Sequence, residues 1–427
     1  MQKYTIYLMV KPLFNRSKRL FISLAIWLIA NWLIVAPLQG AIPFRGAWIA
    51  TVANIDWPSE EAIGNDSLQQ AEMTFILDSL QSLGINAIIF QVRPTADALY
   101  ESELEPWSHW LTGKQGRKPG YDPLEWMVQE CHSRDMELHA WLNPYRINIA
   151  TMKVDSLSYN HPFYQHPEWF WNYGKQWYFN PALPDAREWI CMVVYDIVCR
   201  YNIDAIHMDD YFYPYPIAKC ELPDTTDFAR DPRGFTDIRE WRRDNVNITV
   251  QAISQTIHDA NPNVQFGISP FGIYQSDGST LSNYDDLYAD ILLWIQEGWI
   301  DYVAPQLYWN IGNKRADYER LAHWWAHAVD SCNQQSASEA SGPYSISERC
   351  ERSLLHHCQL YIGMSPYRLG GAKEISAWRE GNEIARQMRL NRTIPGIDGE
   401  CFYSTRPLLR NPLHVCDSIK AIYNENE

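Results

Sequence analysis

Several motifs that identify common enzyme classes are missing from this sequence. It contains no C-x-x-C pair, which argues against a structural zinc site, and no H-E-x-x-H helix motif. No G-x-S-x-G is present, no cysteine stands in a thiol-nucleophile motif, and the glycine-rich loops that bind phosphates are absent. We therefore expect neither a metal ion nor an organic cofactor.

Positive charge is scarce as well. The 36 Lys and Arg residues face 51 Asp and Glu residues, the formal net charge is −15, and no long basic block follows the N-terminal segment. Binding of nucleic acid through its phosphates needs a cationic surface, so we expect no nucleic-acid partner. Aromatic residues are abundant, with 19 Trp and 25 Tyr. Many of them will fill the core, and the rest suit a cleft that stacks on the apolar faces of sugar rings.

The N-terminal residues 1–40 have the pattern of a targeting segment. Basic residues between Lys11 and Arg19 precede the apolar run LFISLAIWLIANWLIVA, and small residues follow at Gly40 and Ala41. This pattern is typical of a secretory signal peptide, and an uncleaved membrane anchor is the alternative. No cysteine follows the run closely, so a lipoprotein site is not indicated. We expect an exported protein of the periplasm or cell envelope, tethered to the membrane if the segment is retained.

After residue 43, short apolar runs alternate with longer amphipathic stretches. Such alternation implies parallel strands joined by helical crossovers. Eight such units predict one α/β domain over residues 43–427, a single (β/α)8 TIM barrel with long βα loops, and an open doubly wound sheet is the alternative. We expect it to be a monomer. The predicted strands are 44–52, 86–94, 137–144, 204–214, 264–272, 301–309, 359–367 and 399–404.

Nine cysteines leave at least one thiol unpaired. Cys191 and Cys199 lie two turns apart on one predicted helix and cannot pair. Cys332 and Cys350 bracket the polar stretch NQQSASEASG and could form a disulfide, although the sequence does not fix connectivity. Because that stretch lies between a helix and a strand, we expect an exposed insertion at the N-terminal face of the barrel.

Side-chain alternation in the predicted strands indicates a polar cavity inside the barrel. One parity of each strand should face the helices and the other the barrel axis, where polar residues are tolerated near the C-terminal mouth. Strands that merely end in polar loops would carry polar residues of both parities, but here one parity dominates. We expect the following residues to converge with Trp141 at the mouth: Gln91, Arg93, His139, Asn143, His207, Asp209, Gln306 and Tyr308.

Two adjacent carboxylates, Asp209 and Asp210, follow the apolar fourth strand. Neighbouring carboxylates at the end of a buried segment repel one another and lose hydration, so a solvated turn or a functional site must explain them. Glycoside cleavage normally uses two carboxyl groups. Asp209 is expected to point into the cavity, the direction of Asp210 is left open, and Asp97 is a third candidate.

The other candidate residues have structural alternatives. Arg93 could serve only as an ion-pair partner of Asp97 or Asp209. His139 and His207 could be hydrogen-bonded lining rather than proton carriers. Together with Asp209 the two histidines have residue types suited to a metal, but they lack the compact helical spacing of known metal motifs.

Five segments of the chain resemble the glycosyl-hydrolase-like family 10, a family of bacterial glycosidases. The similarity runs in order from about residue 43 to about residue 415, and the segments are FRGAWIATVANIDWPS, NAIIFQVRPTADALYESELEPWSHWLTG, ELHAWLNPYR, DAIHMDDYFYP and WIDYVAPQLYW. The resemblance implies a TIM-barrel glycosidase of the cell envelope that acts on peptidoglycan-type glycan strands. It places these residues in or near the site: Arg93, Asp97, Asn143, Arg146, His207, Asp209, Asp210, Gln306 and Tyr308.

The segment DAIHMDDYFYP is also similar to the fourth-strand motif of chitinase-type barrels, which use the N-acetyl group of the substrate as the nucleophile. Tyr211 stands here where those enzymes carry the acidic Glu, so their mechanism is not carried over directly, and we expect Tyr211 to contact substrate instead. The leading hypothesis is an exported glycoside hydrolase with Asp209 or Asp210 as the general acid/base. The alternatives are a non-catalytic glycan-binding barrel, which would use Trp141 for stacking, and a metal-dependent polysaccharide hydrolase or deacetylase.

Overall fold

The structure is a computed structural model that describes residues 43–340, 357–379 and 381–425. The described residues from Phe44 onward form one compact unit. Eight parallel strands of the described residues close into a barrel, in which the first strand along the chain pairs with both the second and the last. The predicted (β/α)8 barrel is therefore confirmed.

Each of the eight predicted strands contains a barrel strand. The barrel strands are β1 (Phe44–Ile49), β2 (Ala87–Arg93), β3 (Glu137–Leu142), β6 (Ala205–Met208), β7 (Gln265–Ile268), β8 (Tyr302–Val303), β9 (Gln359–Met364) and β10 (Gly399–Phe402). A two-stranded antiparallel hairpin, β4 (Phe170–Tyr173) and β5 (Gln176–Phe179), lies in the long segment between β3 and the helix that begins at Pro184. The strand pattern did not predict this hairpin.

The helices of the described residues lie between the strands and at the chain end. They are α1 (Asp66–Ser82), α2 (His109–Thr112), α3 (Pro123–His132), α4 (Pro162–Gln165), α5 (Pro184–Arg200), α6 (Thr225–Arg230), α7 (Ile238–Ala260), α8 (Asn283–Asp286), α9 (Ile291–Gln296), α10 (Tyr318–Ala340), α11 (Ser376–Arg379), α12 (Glu383–Asn391), α13 (Thr405–Arg410) and α14 (Val415–Asn424). Helix α3 begins where Asp122 accepts hydrogen bonds from two backbone N–H groups and Pro123 occupies the first turn, as its Asp-Pro start predicts.

The barrel has two separate apolar cores because alternate strand residues face opposite ways. Residues of one parity, such as Phe90, Ala140 and Met208, pack against the outer helices. Residues of the other parity, such as Phe44, Trp48 and Tyr302, form a smaller cluster inside the barrel. Strand register brings residues of like parity side by side, for example Trp141 with His207.

An irregularity in β2 reverses this alternation at one position. Gln91 pairs with Trp141, but Arg93 pairs with Leu142, so one extra residue is accommodated between them. Arg93 therefore lies on the parity of Leu142, which faces the outer core. The expectation that Arg93 points into the barrel is wrong, because it assumed unbroken alternation.

The stretch NQQSASEASG, expected to be an exposed insertion, is helical over its first eight residues and partly buried over its first four. Residues 333–340 continue α10, and both Asn333 and Ser336 are buried. Asn333 exchanges hydrogen bonds with the backbone of Cys358, and Ser336 donates to the carbonyl oxygen of Gln296. Cys332 is a buried free thiol, whereas its predicted partner Cys350 lies outside the described residues.

The predicted targeting segment, residues 1–40, also lies outside the described residues. Within the part of the chain that the structure describes, no helix is both long enough and apolar enough to cross a membrane.

Candidate active site

A cavity of about 390 Å³ opens at the C-terminal end of the barrel strands. Active sites of TIM barrels lie at this end, where the βα loops meet. The cavity contains both adjacent carboxylates together with amide, guanidinium and aromatic side chains. Its lining residues are Trp48, Val52, Ala53, Ile55, Gln91, Trp141, Arg146, Ile149, Asp209, Asp210, Tyr211, Tyr215, Ser269, Gln306, Tyr308 and Tyr403.

Asp209 is held by three N–H donors. Its Oδ2 accepts from Asn143 Nδ2 at 2.6 Å and from Trp141 Nε1 at 3.2 Å. Its Oδ1 accepts from the backbone N–H of Tyr211 at 3.2 Å. None of these partners can accept a hydrogen bond through the atom concerned, so all three favour the carboxylate form.

Asp210 has different partners. Its Oδ1 accepts from Gln306 Nε2 at 3.1 Å, and its Oδ2 forms a short hydrogen bond with the Tyr215 hydroxyl. Gln306 Nε2 also donates to the carbonyl oxygen of Ser269, which fixes the side-chain amide in place. A tyrosine hydroxyl can donate or accept, so Asp210 keeps a partner whether or not it carries a proton.

The orientation of the Asn143 amide follows from its other contacts. Its Oδ1 accepts from Gln91 Nε2 at 2.6 Å and from Arg146 at 3.1 Å, which leaves Nδ2 to donate to Asp209. Gln91 is fixed in turn, because its Oε1 accepts from the backbone N–H groups of Thr51 and Val52. This network holds Asp209 in one geometry before any ligand enters.

The two carboxyl groups hold protons more tightly than exposed aspartates do. Burial raises the pKa of Asp209 to about 7, and the neighbouring charge of Asp210 acts in the same direction. Burial also raises the pKa of Asp210, while its hydrogen bonds from Tyr215 and Gln306 oppose the rise. Because two carboxylates at such close range do not both ionise readily, the pair retains a proton near neutral pH.

Aromatic rings form the apolar part of the cavity wall. Tyr308 and Tyr403 stack with ring centroids 6.0 Å apart, and Trp48 meets Tyr403 edge-on. On the other side the Arg146 guanidinium lies over the Tyr211 ring, 5.1 Å from its centroid. Flat apolar walls next to fixed polar groups are the combination that carbohydrate binding requires.

A chain of hydrogen bonds runs down the barrel axis below the cavity. Trp48 Nε1 can only donate, so His207 Nε2 accepts at 3.2 Å and the proton of neutral His207 lies on Nδ1. His207 then donates to the Tyr302 hydroxyl, which donates to His139 Nδ1, and His139 Nε2 donates to Glu137. Burial lowers the pKa of His207 well below its ordinary value, which agrees with a neutral ring.

A glycine makes room for this chain. A Cβ atom at Gly267 would lie 1.8 Å from the Tyr302 ring, so any larger residue there would displace the ring that joins the two histidines.

Comparison with known proteins identifies the family. A family model described as glycosyl hydrolase-like 10 matches residues 43–335. Glycosyl hydrolase YngK of Bacillus subtilis (strain 168) is 43% identical over 395 residues, which cover 90% of this chain and 72% of YngK. The chain belongs to the glycosyl hydrolase-like 10 family. Glycosyl hydrolase DigH of Escherichia coli (strain K12) is 34% identical over 391 residues, covering 86% of this chain and 83% of DigH. The resemblance noted from sequence is confirmed, and the chain is a glycoside hydrolase.

Solved structures of low sequence identity share the fold of this family member. The glycoside hydrolase domain of PgaB (BpsB) from Bordetella bronchiseptica is 12% identical with a TM-score of 0.53, covering 89% of this chain and 99% of that domain. The catalytic domain of beta-amylase from Paenibacillus polymyxa is 10% identical with a TM-score of 0.56, covering 91% and 99%. At such identities the similarity shows the barrel fold alone.

Most of the residues predicted for the site of this glycoside hydrolase meet at the cavity. Asn143 contacts Asp209 from behind the lining, and His207 lies beneath the floor against Trp48. The residues that line the cavity as predicted are Gln91, Trp141, Arg146, Asp209, Asp210, Tyr211, Gln306 and Tyr308.

Three predicted residues lie elsewhere. Arg93 forms a two-point ion pair with Glu105, not with Asp97 or Asp209, and both side chains are buried. Asp97 is buried in the loop after β2 and accepts hydrogen bonds from Thr95 and Gln115. His139 faces the barrel axis, but near the N-terminal end, where it contacts Glu137. Contrary to expectation, these three residues do not line the cavity.

Other cavity residues in this family member were missed. Trp48 has the inward parity of β1. Tyr403 comes two residues after Cys401, which has the inward parity of β10, so alternation could have identified both Trp48 and Tyr403. Tyr215 and the residues Val52, Ala53, Ile55 and Ile149 come from loops, and no pattern in the sequence indicates where they point.

The described residues contain no group of three or more His, Cys, Asp or Glu side chains arranged to hold a metal ion.

Proposed function

We propose that this glycoside hydrolase cleaves amino-sugar-containing glycan strands of the cell envelope, of the peptidoglycan type, by carboxylate acid/base catalysis through Asp209 and Asp210. The observation that carries the proposal is a pair of buried carboxyl groups in one cavity, with the pKa of Asp209 raised to about 7. A carboxyl group that is still protonated near neutral pH can act as a general acid.

The pair supplies both protonation states that glycoside hydrolysis needs. The protonated carboxyl group of the pair gives its proton to the glycosidic oxygen as the bond from that oxygen to the anomeric carbon breaks. The ionised partner stabilises the positive charge that develops at the anomeric carbon. Water then adds its hydroxide to that carbon, and its other proton returns to the carboxylate that acted as the acid.

The surrounding groups support this division of work. The donors around Asp209 hold its carboxyl group in place, and the Tyr215 hydroxyl remains hydrogen-bonded to Asp210 in either protonation state. Trp48, Trp141 and Tyr403 would exclude water from the reacting atoms and present apolar faces to sugar rings.

The substrate class and the location rest on the family resemblance and on the N-terminal pattern. An exported or membrane-tethered hydrolase would meet envelope glycan directly, and the signal-like segment in residues 1–40 supports export.

Purified cell-wall glycan tests the proposal. Intact strands and strands stripped of their peptides are incubated with wild type, Asp209→Asn and Asp210→Asn, and the reducing ends and product masses are measured. Each substitution should lower turnover by a factor of about 100 or more, because it removes one member of the acid/base pair.

Asp155→Asn is the matched control, since Asp155 is exposed, does not line the cavity and does not belong to a barrel strand. Circular dichroism should show all variants folded. Wild-type release of reducing ends by both Asp209→Asn and Asp210→Asn would refute the mechanism, and no release by the wild type from either glycan would refute the substrate class.

A further inference from the structure

A second cavity of about 550 Å³ adjoins the one that contains the aspartates. It lies between the loop after β1 and the segments that follow β9 and β10, and both its size and its mixed lining are typical of a ligand site. The lining combines apolar surface with two guanidinium groups. The residues are Ala53, Asn54, Ile55, Pro366, Tyr367, Leu369, Tyr403, Ser404, Arg406, Pro407, Arg410 and Pro412.

The two cavities are neighbours that share three lining residues. Ala53, Ile55 and Tyr403 line both of them, so these residues form the boundary that a bound chain would cross. Tyr403 stacks with Tyr308 in the first cavity and meets Tyr367 edge-on in the second. Half of the Tyr367 side chain is exposed, at 48%, which leaves its ring free to pack on a ligand.

Positive charge is concentrated in the second cavity. Arg406 and Arg410 are four residues apart on α13 and face the cavity together. Arg406 donates to the carbonyl oxygen of Asn54 and lies near the buried carboxylate of Asp56. Arg410 is exposed and has no ion pair with any of the described residues. In a protein of formal net charge −15, an uncompensated cation beside the catalytic groove favours an anionic ligand.

The walls of this cavity are fixed before a ligand arrives. Asp56 Oδ1 accepts from the Ser404 hydroxyl and from the Arg406 backbone N–H, while its Oδ2 accepts from the Ala50 backbone N–H. These bonds lock the loop after β1 to the start of α13. A preformed wall reduces the entropy that a ligand loses on binding.

We propose that the second cavity is a subsite for a carboxylate-bearing sugar that adjoins the glycosidic bond to be cleaved, with Arg410 and Arg406 binding the carboxylate. This inference rests on the proposed function, because it takes the Asp209 and Asp210 cavity as the point of cleavage. The guanidinium fork matches a carboxylate in shape and charge, and the ring of Tyr367 supplies the apolar face for the sugar.

The test compares two substrates that differ only in one functional group, a carboxylate or the uncharged alcohol made from it. Peptide-free amino-sugar strands with free ether-linked carboxyl groups are used as prepared and after chemical reduction of those groups to alcohols. Steady-state kinetics are measured for wild type, Arg410→Gln, Arg410→Lys and the control Arg389→Gln. Arg389 is a half-exposed arginine on α12 that lines neither cavity.

Arg410→Gln should raise KM for the carboxylated strands by about threefold to tenfold with little change in kcat, as expected for an exposed charge-assisted contact. Arg410→Lys should recover part of the loss. For the reduced strands, the KM values of wild type and Arg410→Gln should agree within about twofold, because no ion pair is present to lose. The difference between the two substrates should shrink at high salt.

Equal KM values for carboxylated and reduced strands with the wild type would overturn the subsite, as would an equal loss in Arg389→Gln. If the wild type cleaves neither strand, the proposed function fails separately, and calorimetric titration with the same two strands decides the subsite. Tighter binding of the carboxylated strand that is weakened in Arg410→Gln supports it, and equal binding of both strands by both proteins overturns it.

Discussion

Replacing Asp209 by asparagine should make the protein more stable, relative to wild type, as the pH rises. Burial raises the pKa of Asp209 from its ordinary value of 3.8 to about 7. Between these values the unfolded chain releases the proton while the folded protein keeps it, so the folded state binds more protons and stability falls with increasing pH. This loss of stability is complete above pH 7. It does not occur in Asp209→Asn, because asparagine cannot ionise at this position.

The magnitude follows from the size of the shift. Each pKa unit corresponds to about 1.4 kcal/mol, so the shift of about three units destabilises the wild type by about 4 kcal/mol above pH 7. Between pH 5 and pH 8 the difference in unfolding free energy between Asp209→Asn and wild type should therefore change by about 2–3 kcal/mol in favour of the variant.

The hydrogen bonds lost in the variant do not affect this slope. The asparagine cannot accept from Trp141, Asn143 and the Tyr211 backbone all at once, which costs about 1–3 kcal/mol, but none of these donors titrates in this range. The offset between the two proteins is thus set by hydrogen bonding, and its change with pH is set by the carboxyl group.

Urea unfolding followed by tryptophan fluorescence at pH 5 and pH 8 measures the difference. Asp155→Asn provides the control, because it removes a carboxylate at an exposed position that lines neither cavity. A difference between Asp209→Asn and wild type that stays constant within about 0.5 kcal/mol across this range would refute the assignment of a strongly raised pKa.

Four other outcomes are expected. The kcat/KM for glycan cleavage should fall as the pH rises through about 7, because the pair loses its proton, and a flat profile from pH 6 to 8.5 would contradict this. Glu105→Gln should lower the free energy of unfolding by about 3–5 kcal/mol, because it leaves the buried Arg93 guanidinium without its carboxylate partner. It should leave KM unchanged, and a raised KM at normal stability would instead indicate that Arg93 contributes to substrate binding. Tyr302→Phe should lower the free energy of unfolding by about 1–3 kcal/mol in urea titrations, since both axial histidines lose the hydroxyl partner of their Nδ1 atoms, and unchanged stability would speak against the axial chain. Activity should persist in chelator, and a loss that zinc restores would instead favour the metal-dependent alternative.

Side-chain alternation along a strand predicted well which face of the strand a residue occupies, but it predicted poorly the height of the residue along the barrel axis. Trp141 and Asp209 lie where their parity places them, because side chains of a regular strand must alternate between its two faces. His139 has the same parity as Trp141, yet it lies one layer lower in the barrel and contacts Glu137 at the opposite end. Parity alone does not state the height of a residue along the axis.

Arg93 shows a second limit. A single irregular pairing in β2 moves it from the inner to the outer parity, and nothing in the string of residue types signals that irregularity. Tyr215 shows a third limit, because its contact with Asp210 depends on the backbone path of a loop, which side-chain patterning does not determine.

The walls of both cavities are built from opposite ends of the chain. The carboxylate of Asp56 binds Ser404 and Arg406, and the Thr405 hydroxyl binds the Trp48 carbonyl oxygen, across 348 to 357 residues of sequence. The ribosome therefore has to release the chain past Arg406 before the groove can form. Any nascent or truncated product that stops short of Tyr403 would lack the contacts that join the last strand of the barrel to the first. Such a product would have no complete site.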